Sequence, residues 1–141
     1  MTDQEFWKRL KETLAIEDDG RVQQIGTKVL EALGCRLTFE EAENLKAQLP
    51  SGLKQIWNRC ESRPKWNRAE LLSMICDECD METEEEAEHA VRSVFGILQE
   101  GISAGEADDV EAQLPKDMKS LWESARLIRS ERTANTRKVV Y

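Results

Sequence analysis

The sequence predicts an all-α fold of about eight helices, arranged as two pseudosymmetric four-helix repeats packed as one compact domain. Three observations lead there. Apolar residues recur at spacings of three and four, as one face of an α-helix requires, and sustained alternation of apolar and polar residues is nowhere found. Helix-start signals recur at Thr2-x-x-Glu5, Thr38-x-x-Glu41, Asn67-x-x-Glu70, Thr83-x-x-Glu86 and Ser103-x-x-Glu106, each an N-cap side chain with a Glu three residues on. Finally, AQLPSGLKQIW, residues 47–57, returns as AQLPKDMKSLW, residues 112–122.

Shifting the chain by 65 aligns Thr2/Asn67 through Trp57/Trp122 without a gap. Over residues 37–57 against 102–122, eight of 21 positions are identical: Glu41, Ala42, Ala47, Gln48, Leu49, Pro50, Lys54 and Trp57. Other pairs keep their class, among them Leu37/Ile102, Thr38/Ser103, Leu45/Val110, Leu53/Met118 and Ile56/Leu121. Repetition at a fixed period implies one supersecondary unit used twice, neither copy able to bury its apolar face alone. The repeat units run over 2–60 and 67–125 within a helical domain of residues 1–130.

The first helix of each unit is predicted over about 3–14 and 68–79, with Phe6, Trp7, Leu10 and Leu14 answered by Leu71, Leu72, Ile75 and Cys79. The second spans about 19–34 and 84–99. Val22, Ile25, Val29, Leu30 and Leu33 form its stripe in the first unit; Ala87, Ala90, Val91, Val94, Phe95 and Leu98 do so in the second. The third opens at Thr38 and Ser103 and ends before Pro50 and Pro115. Proline lacks an N–H and fixes its own φ, so it stops one helix and suits the first position of the next. AQLP is therefore a corner, and the fourth helix follows it with Leu53, Ile56, Trp57 and Cys60, or Met118, Leu121, Trp122 and Ala125. Leu49, Pro50, Trp57, Leu114, Pro115 and Trp122 form the repeated structural motif. Its matching Leu and Trp side chains are expected in the core.

The linker ESRPKWN, residues 61–67, is too short to separate the units, which are expected to pack together. From about residue 131 the chain is polar and basic, a C-terminal tail over 131–141 without apolar period. Residues 124–141 carry Arg126, Arg129, Arg132, Arg137 and Lys138 against Glu131. Their balance of +4, against −8 for the whole chain, leaves −12 on the first 123 residues. So acidic a body repels nucleic acid and anionic membranes, and no nucleic-acid or membrane partner is expected. No apolar run has the length of a signal sequence or a membrane span. Four cysteines are too few for a disulfide scaffold, which points to a reducing cytoplasm.

Over residues 36–57 and 101–122 the chain resembles the bacterial family catalogued as domain of unknown function 2267. The resemblance rests on a Leu or Ile, a Thr or Ser cap, Glu-Ala, then Gln-Leu-Pro and a basic residue. It implies a helical fold of two related halves over residues 3 to about 125, and no reaction, cofactor or catalytic residue.

Few residues suggest chemistry. CDEC, residues 76–79, is a CxxC pair, but it falls at a predicted helix C-terminus among Asp77, Glu78 and Asp80. The negative end of the helix dipole and the carboxylates both oppose the thiolate that redox work needs. Cys60, Cys76, Cys79 and His89 could together bind zinc, but a second short ligand pair is lacking. The acidic run 77–88 lacks the Gly and alternating ligands of a calcium loop and reads as a helix start. Arg126, Arg129 and Arg132 recur every third residue and are candidates to contact a partner. No nucleophile–base pair, phosphate loop or cofactor motif is present, and paired carboxylates are too common in so acidic a chain to discriminate. The expectation is a non-catalytic protein-interaction or adaptor module without cofactor, with a protein partner or self-association. A small-ligand- or metal-binding helical protein is the alternative.

Overall fold

The computed structural model describes residues 1–56 and 66–126, and among these it holds helices and no strand. In chain order they are α1 (Asp3–Leu14), α2 (Asp19–Arg36), α3 (Phe39–Ala47), α4 (Ser51–Lys54), α5 (Arg68–Glu78), α6 (Glu84–Glu100), α7 (Ala104–Gln113) and α8, residues 116–126. Trp57, Cys60, Arg129, Arg132 and the tail 131–141 lie outside the described residues.

The helix starts are where the cap residues put them. The side chains of Thr2, Thr38, Asn67, Thr83 and Ser103 each accept a hydrogen bond from the backbone N–H three residues on. Asp18 does the same for α2, from Gly20 and Arg21. Each bond satisfies a donor that a helix terminus would otherwise leave open. Helix α1 ends at Ala15, whose left-handed backbone (φ 56°) returns its N–H to the carbonyl of Lys11.

The apolar stripes meet in one core. Helix α6 is its axis: seven consecutive residues, Ser93 through Gln99, are buried, which no surface helix with one apolar stripe could show. Helices α1, α5 and α2 pack around it. Phe6 and Leu10 of α1 are fully enclosed, and Trp7 stands edge-on to Phe6 with ring centroids 5.0 Å apart. Trp7 can approach α2 closely because position 26 is glycine. A Cβ there would sit 2.5 Å from Cζ3 of the indole and 2.9 Å from Leu10 Cδ2.

The proline corners form with one change from expectation. Pro50 and Pro115 stand at the N-cap rather than the first helical position, and their carbonyls accept the opening bonds of the next helix. Leu53 and Lys54 donate to Pro50, Met118 and Lys119 to Pro115. Proline has no side-chain oxygen for capping, so α4 takes its cap from elsewhere. The Asp3 carboxylate of α1 accepts from the Gly52 N–H at 3.2 and 3.0 Å. At the corresponding place in the other repeat the roles are exchanged: Asp117 of α8 accepts from the Arg68 N–H of α5 at 3.0 Å. Leu49, Leu53, Leu114, Met118 and Trp122 are all buried, and Trp122 leans on Phe95 with centroids 5.2 Å apart.

Candidate functional site

Among the described residues, the side chains that sequence reasoning singled out for chemistry do not converge. Cys79 is buried and Cys76 half-buried, both free thiols. Cys76 donates to the Thr83 carbonyl. The carbonyls at this end of α5 are taken by α2, with Gln24 donating to Glu78 and Arg21 to Asp80. Desolvation raises both thiol pKa values. Asp77, Glu84 and Glu86 add to the rise at Cys76, and Glu78 does so at Cys79. CDEC thus ties a helix end into the core and disfavours thiolate. His89 is exposed, and it does not gather with Cys76 and Cys79 within ligand distance. Cys35, expected as a thiol like the others, is instead disulfide-bonded; no short Cys spacing in the sequence announces it. Arg126 pairs with Asp108 at 3.5 Å, both side chains largely exposed.

What does converge lies between α3 and α7, the third helices of the two sequence repeats. Their starts were expected to be capping boxes, in which Glu41 and Glu106 would turn back to the N–H of Thr38 and Ser103. Only half of each box forms. The return bond comes from the other repeat: the Thr38 N–H donates to Gln113 Oε1 at 2.9 Å, and the Ser103 N–H to Gln48 Oε1 at 2.8 Å. Gln48 also reaches the Ser103 hydroxyl through Nε2 at 3.4 Å. Gln48 and Gln113 are the glutamines of the two AQLP motifs. A polar residue repeated beside a core Leu-Pro therefore has a physical reason: each caps the opposite helix.

Relieved of the capping role, Glu41 and Glu106 turn inward. They are only 6% and 7% exposed, in a residue class almost never buried unless paired. The Oε1 atom of each is closed off from solvent and has no hydrogen-bond partner. With Asp109, one turn along α7 and exposed, they bring three carboxylate oxygens within 4.8 Å of one another. Among the described residues no ion pair reaches any of the three: Lys46 engages Glu43, and Arg126 engages Asp108. Burial, the hydrogen bond to Glu41 and the charges of Glu41 and Asp109 push the Glu106 carboxyl up to about 8. It is therefore protonated at neutral pH and donates that proton toward Glu41. The sequence signal for this pair was present, since Glu41 and Glu106 are among the eight identities. Its reading as two capping boxes was what the glutamines overturned.

An open cavity of about 590 Å³ is lined by Gln99, Glu100, Ile102, Ala104, Ala107, Asp108 and Arg126 and by none of the three carboxylates. No helix among the described residues is long and apolar enough to cross a membrane. A family model described as an uncharacterized conserved protein matches residues 3–121. No curated protein matches the chain.

Proposed function

The chain belongs to the family of domain of unknown function 2267, and from the contact of α3 with α7 we propose that it is a non-catalytic protein-interaction module. Its two sequence repeats, 2–60 and 67–125, are read as pseudosymmetric units that meet where α3 contacts α7. That contact is the switch, set by the charge on the Glu41–Glu106 pair. A protein partner or a second copy reads the closed form. The carrying observation is that reciprocal capping by Gln48 and Gln113 frees two buried carboxyl groups to face each other.

The physics favours response over mere support. Two carboxyl groups brought together out of water destabilise a fold as soon as both ionise. An apolar pair of the same volume would carry no such penalty. With Glu106 protonated the pair carries a single negative charge and the contact is closed; with both ionised the like charges press α3 and α7 apart. The charges that act on Glu106 are those of Glu41 and of Asp109 on α7, and Asp109 adds to the repulsion.

Hydrogen exchange tests this reading. The Thr38 and Ser103 amides, corrected for intrinsic exchange, should open faster at about pH 9 than at about pH 6, across the range where a raised carboxyl ionises. In Glu106→Gln the difference should vanish. Amides at the ends of α3 and α7 that are indifferent to ionisation would dismiss the switch.

A further inference from the structure

We propose that Glu41, Glu106 and Asp109 form a binding site for one hard divalent cation of the magnesium or manganese class, closed by the contact of α3 with α7. This deepens the switch reading and rests on it only for the consequence of binding. The site itself stands on the geometry.

Clustered acidic groups are common on a surface this negative and would not suffice. Two features separate this cluster from the rest. First, Glu41 and Glu106 are more than nine-tenths buried, and each holds an Oε1 atom that no donor outside the pair reaches. A buried oxygen without a donor is a rare and costly feature, one that a missing proton or ion explains. Second, the three carboxylates come from two helices and converge, with oxygens inside 4.8 Å of one another. Asp109 is exposed and gives the cluster an opening to water. Other acidic stretches, such as 82–86, are exposed and spent on a helix start.

The donor set selects the ion. All three ligands are carboxylate oxygens, which suit hard cations; the imidazole or thiolate that would draw zinc or copper is absent from the cluster. Three protein oxygens leave about half of an octahedron for water, the arrangement magnesium-class ions keep, at about 2.1 Å per oxygen. Oxygens around such an ion stand roughly 3 Å apart, so side-chain rotation of about an ångström closes the site from its present spacing. In the ion's absence one proton, on Glu106, leaves the pair a single negative charge. Binding must displace that proton, so the ion and the proton compete for the same oxygens. The ion draws α3 and α7 together where two free charges would part them.

Manganese is the probe, because it is paramagnetic and follows the same oxygen preference. Full-length protein at about pH 7.5, near the titration of a raised carboxyl, is titrated with Mn²⁺ and followed by electron paramagnetic resonance and by calorimetry in buffers of different ionisation enthalpy. The expected result is one ion per chain, competed by Mg²⁺, with proton release seen as a buffer-dependent heat. Asp109→Asn, a change at an exposed side chain that leaves the core intact, should weaken binding at least tenfold, and Glu106→Gln likewise without the proton release. Glu40→Gln and Glu43→Gln should change nothing. Absence of saturable binding up to about 1 mM, an affinity near the weakest specific class, overturns the proposal. So does binding that Asp109→Asn and Glu106→Gln leave untouched, which would locate the ion elsewhere on the acidic surface. Binding as expected, in a protein whose α3 and α7 amides ignore pH, would uphold the site while refuting the switch.

Discussion

Replacing Glu106 by glutamine removes a titratable proton without changing shape, and its effect on stability can be worked from the structure. The amide keeps a donor for Glu41 and cannot ionise. In the wild type the folded carboxyl titrates at about 8 instead of the ordinary 4.5. At 1.36 kcal/mol per unit that difference corresponds to roughly 4–5 kcal/mol when both states are fully ionised. The folded-state value is the higher one, so between the two values the folded chain holds a proton that the unfolded chain has lost. The stabilisation is complete below the unfolded value and is lost as pH rises through the folded one. Between about pH 5.5 and 9 the wild type should therefore lose about 3 kcal/mol relative to Glu106→Gln. Urea denaturation followed by tryptophan fluorescence at several pH values measures both chains identically, and other carboxylates cancel in the difference. If the two stability curves run parallel within about 0.5 kcal/mol, the ordinary scatter of such a comparison, the carboxyl pair is solvated and the reasoning fails.

Three further outcomes are expected. Trp122→Ala should cost about 3–5 kcal/mol, since the ring is fully buried against Phe95; a loss below about 1 kcal/mol in chemical denaturation would place it outside the core. Gln48→Ala and Gln113→Ala should each cost about 0.5–1.5 kcal/mol, the net worth of a hydrogen bond, and exchange data should show the loss at Ser103 and Thr38 respectively, in the repeat that was not mutated. Alkylation of Cys76 should show an apparent pKa above that of a free thiol, because burial and the carboxylates of Asp77, Glu84 and Glu86 disfavour the thiolate; a value below the free thiol would reopen a redox role.

Much of the fold was legible because it rests on local chemistry. Thr2, Thr38, Asn67, Thr83 and Ser103 cap the helices at which they were read, since an N-cap signal needs only the chain three residues ahead. The apolar stripes located the core for the same reason: Phe6 and Leu10, or Val94 and Leu98, lie on one face by helical spacing alone. The corners were legible from Pro50 and Pro115. The candidate site was not, because it is made across the chain. Thr38-x-x-Glu41 carries every local mark of a capping box, and nothing local says that Gln113 will take the Thr38 N–H from 75 residues away. Once a distant glutamine does so, the Glu41 carboxyl is released, and its direction depends on packing that no window of sequence contains. Conversely, Cys76, Cys79 and His89 stood out by residue type and do not gather within ligand distance. The recurrence of Gln and Glu at matched places in both repeats was the available clue, and it pointed to the contact between α3 and α7 rather than to either repeat alone.

The central claim is that this contact holds a buried carboxyl kept protonated at neutral pH. Carbon-13 labelling of the glutamate side chains, with assignment of Glu106 by comparison with Glu106→Gln, lets its titration be followed directly by nuclear magnetic resonance. The account predicts that the Glu106 carboxyl carbon keeps its protonated chemical shift through neutrality and moves with a midpoint near 8. A midpoint below about 5, within the range of an ordinary glutamate, would contradict it.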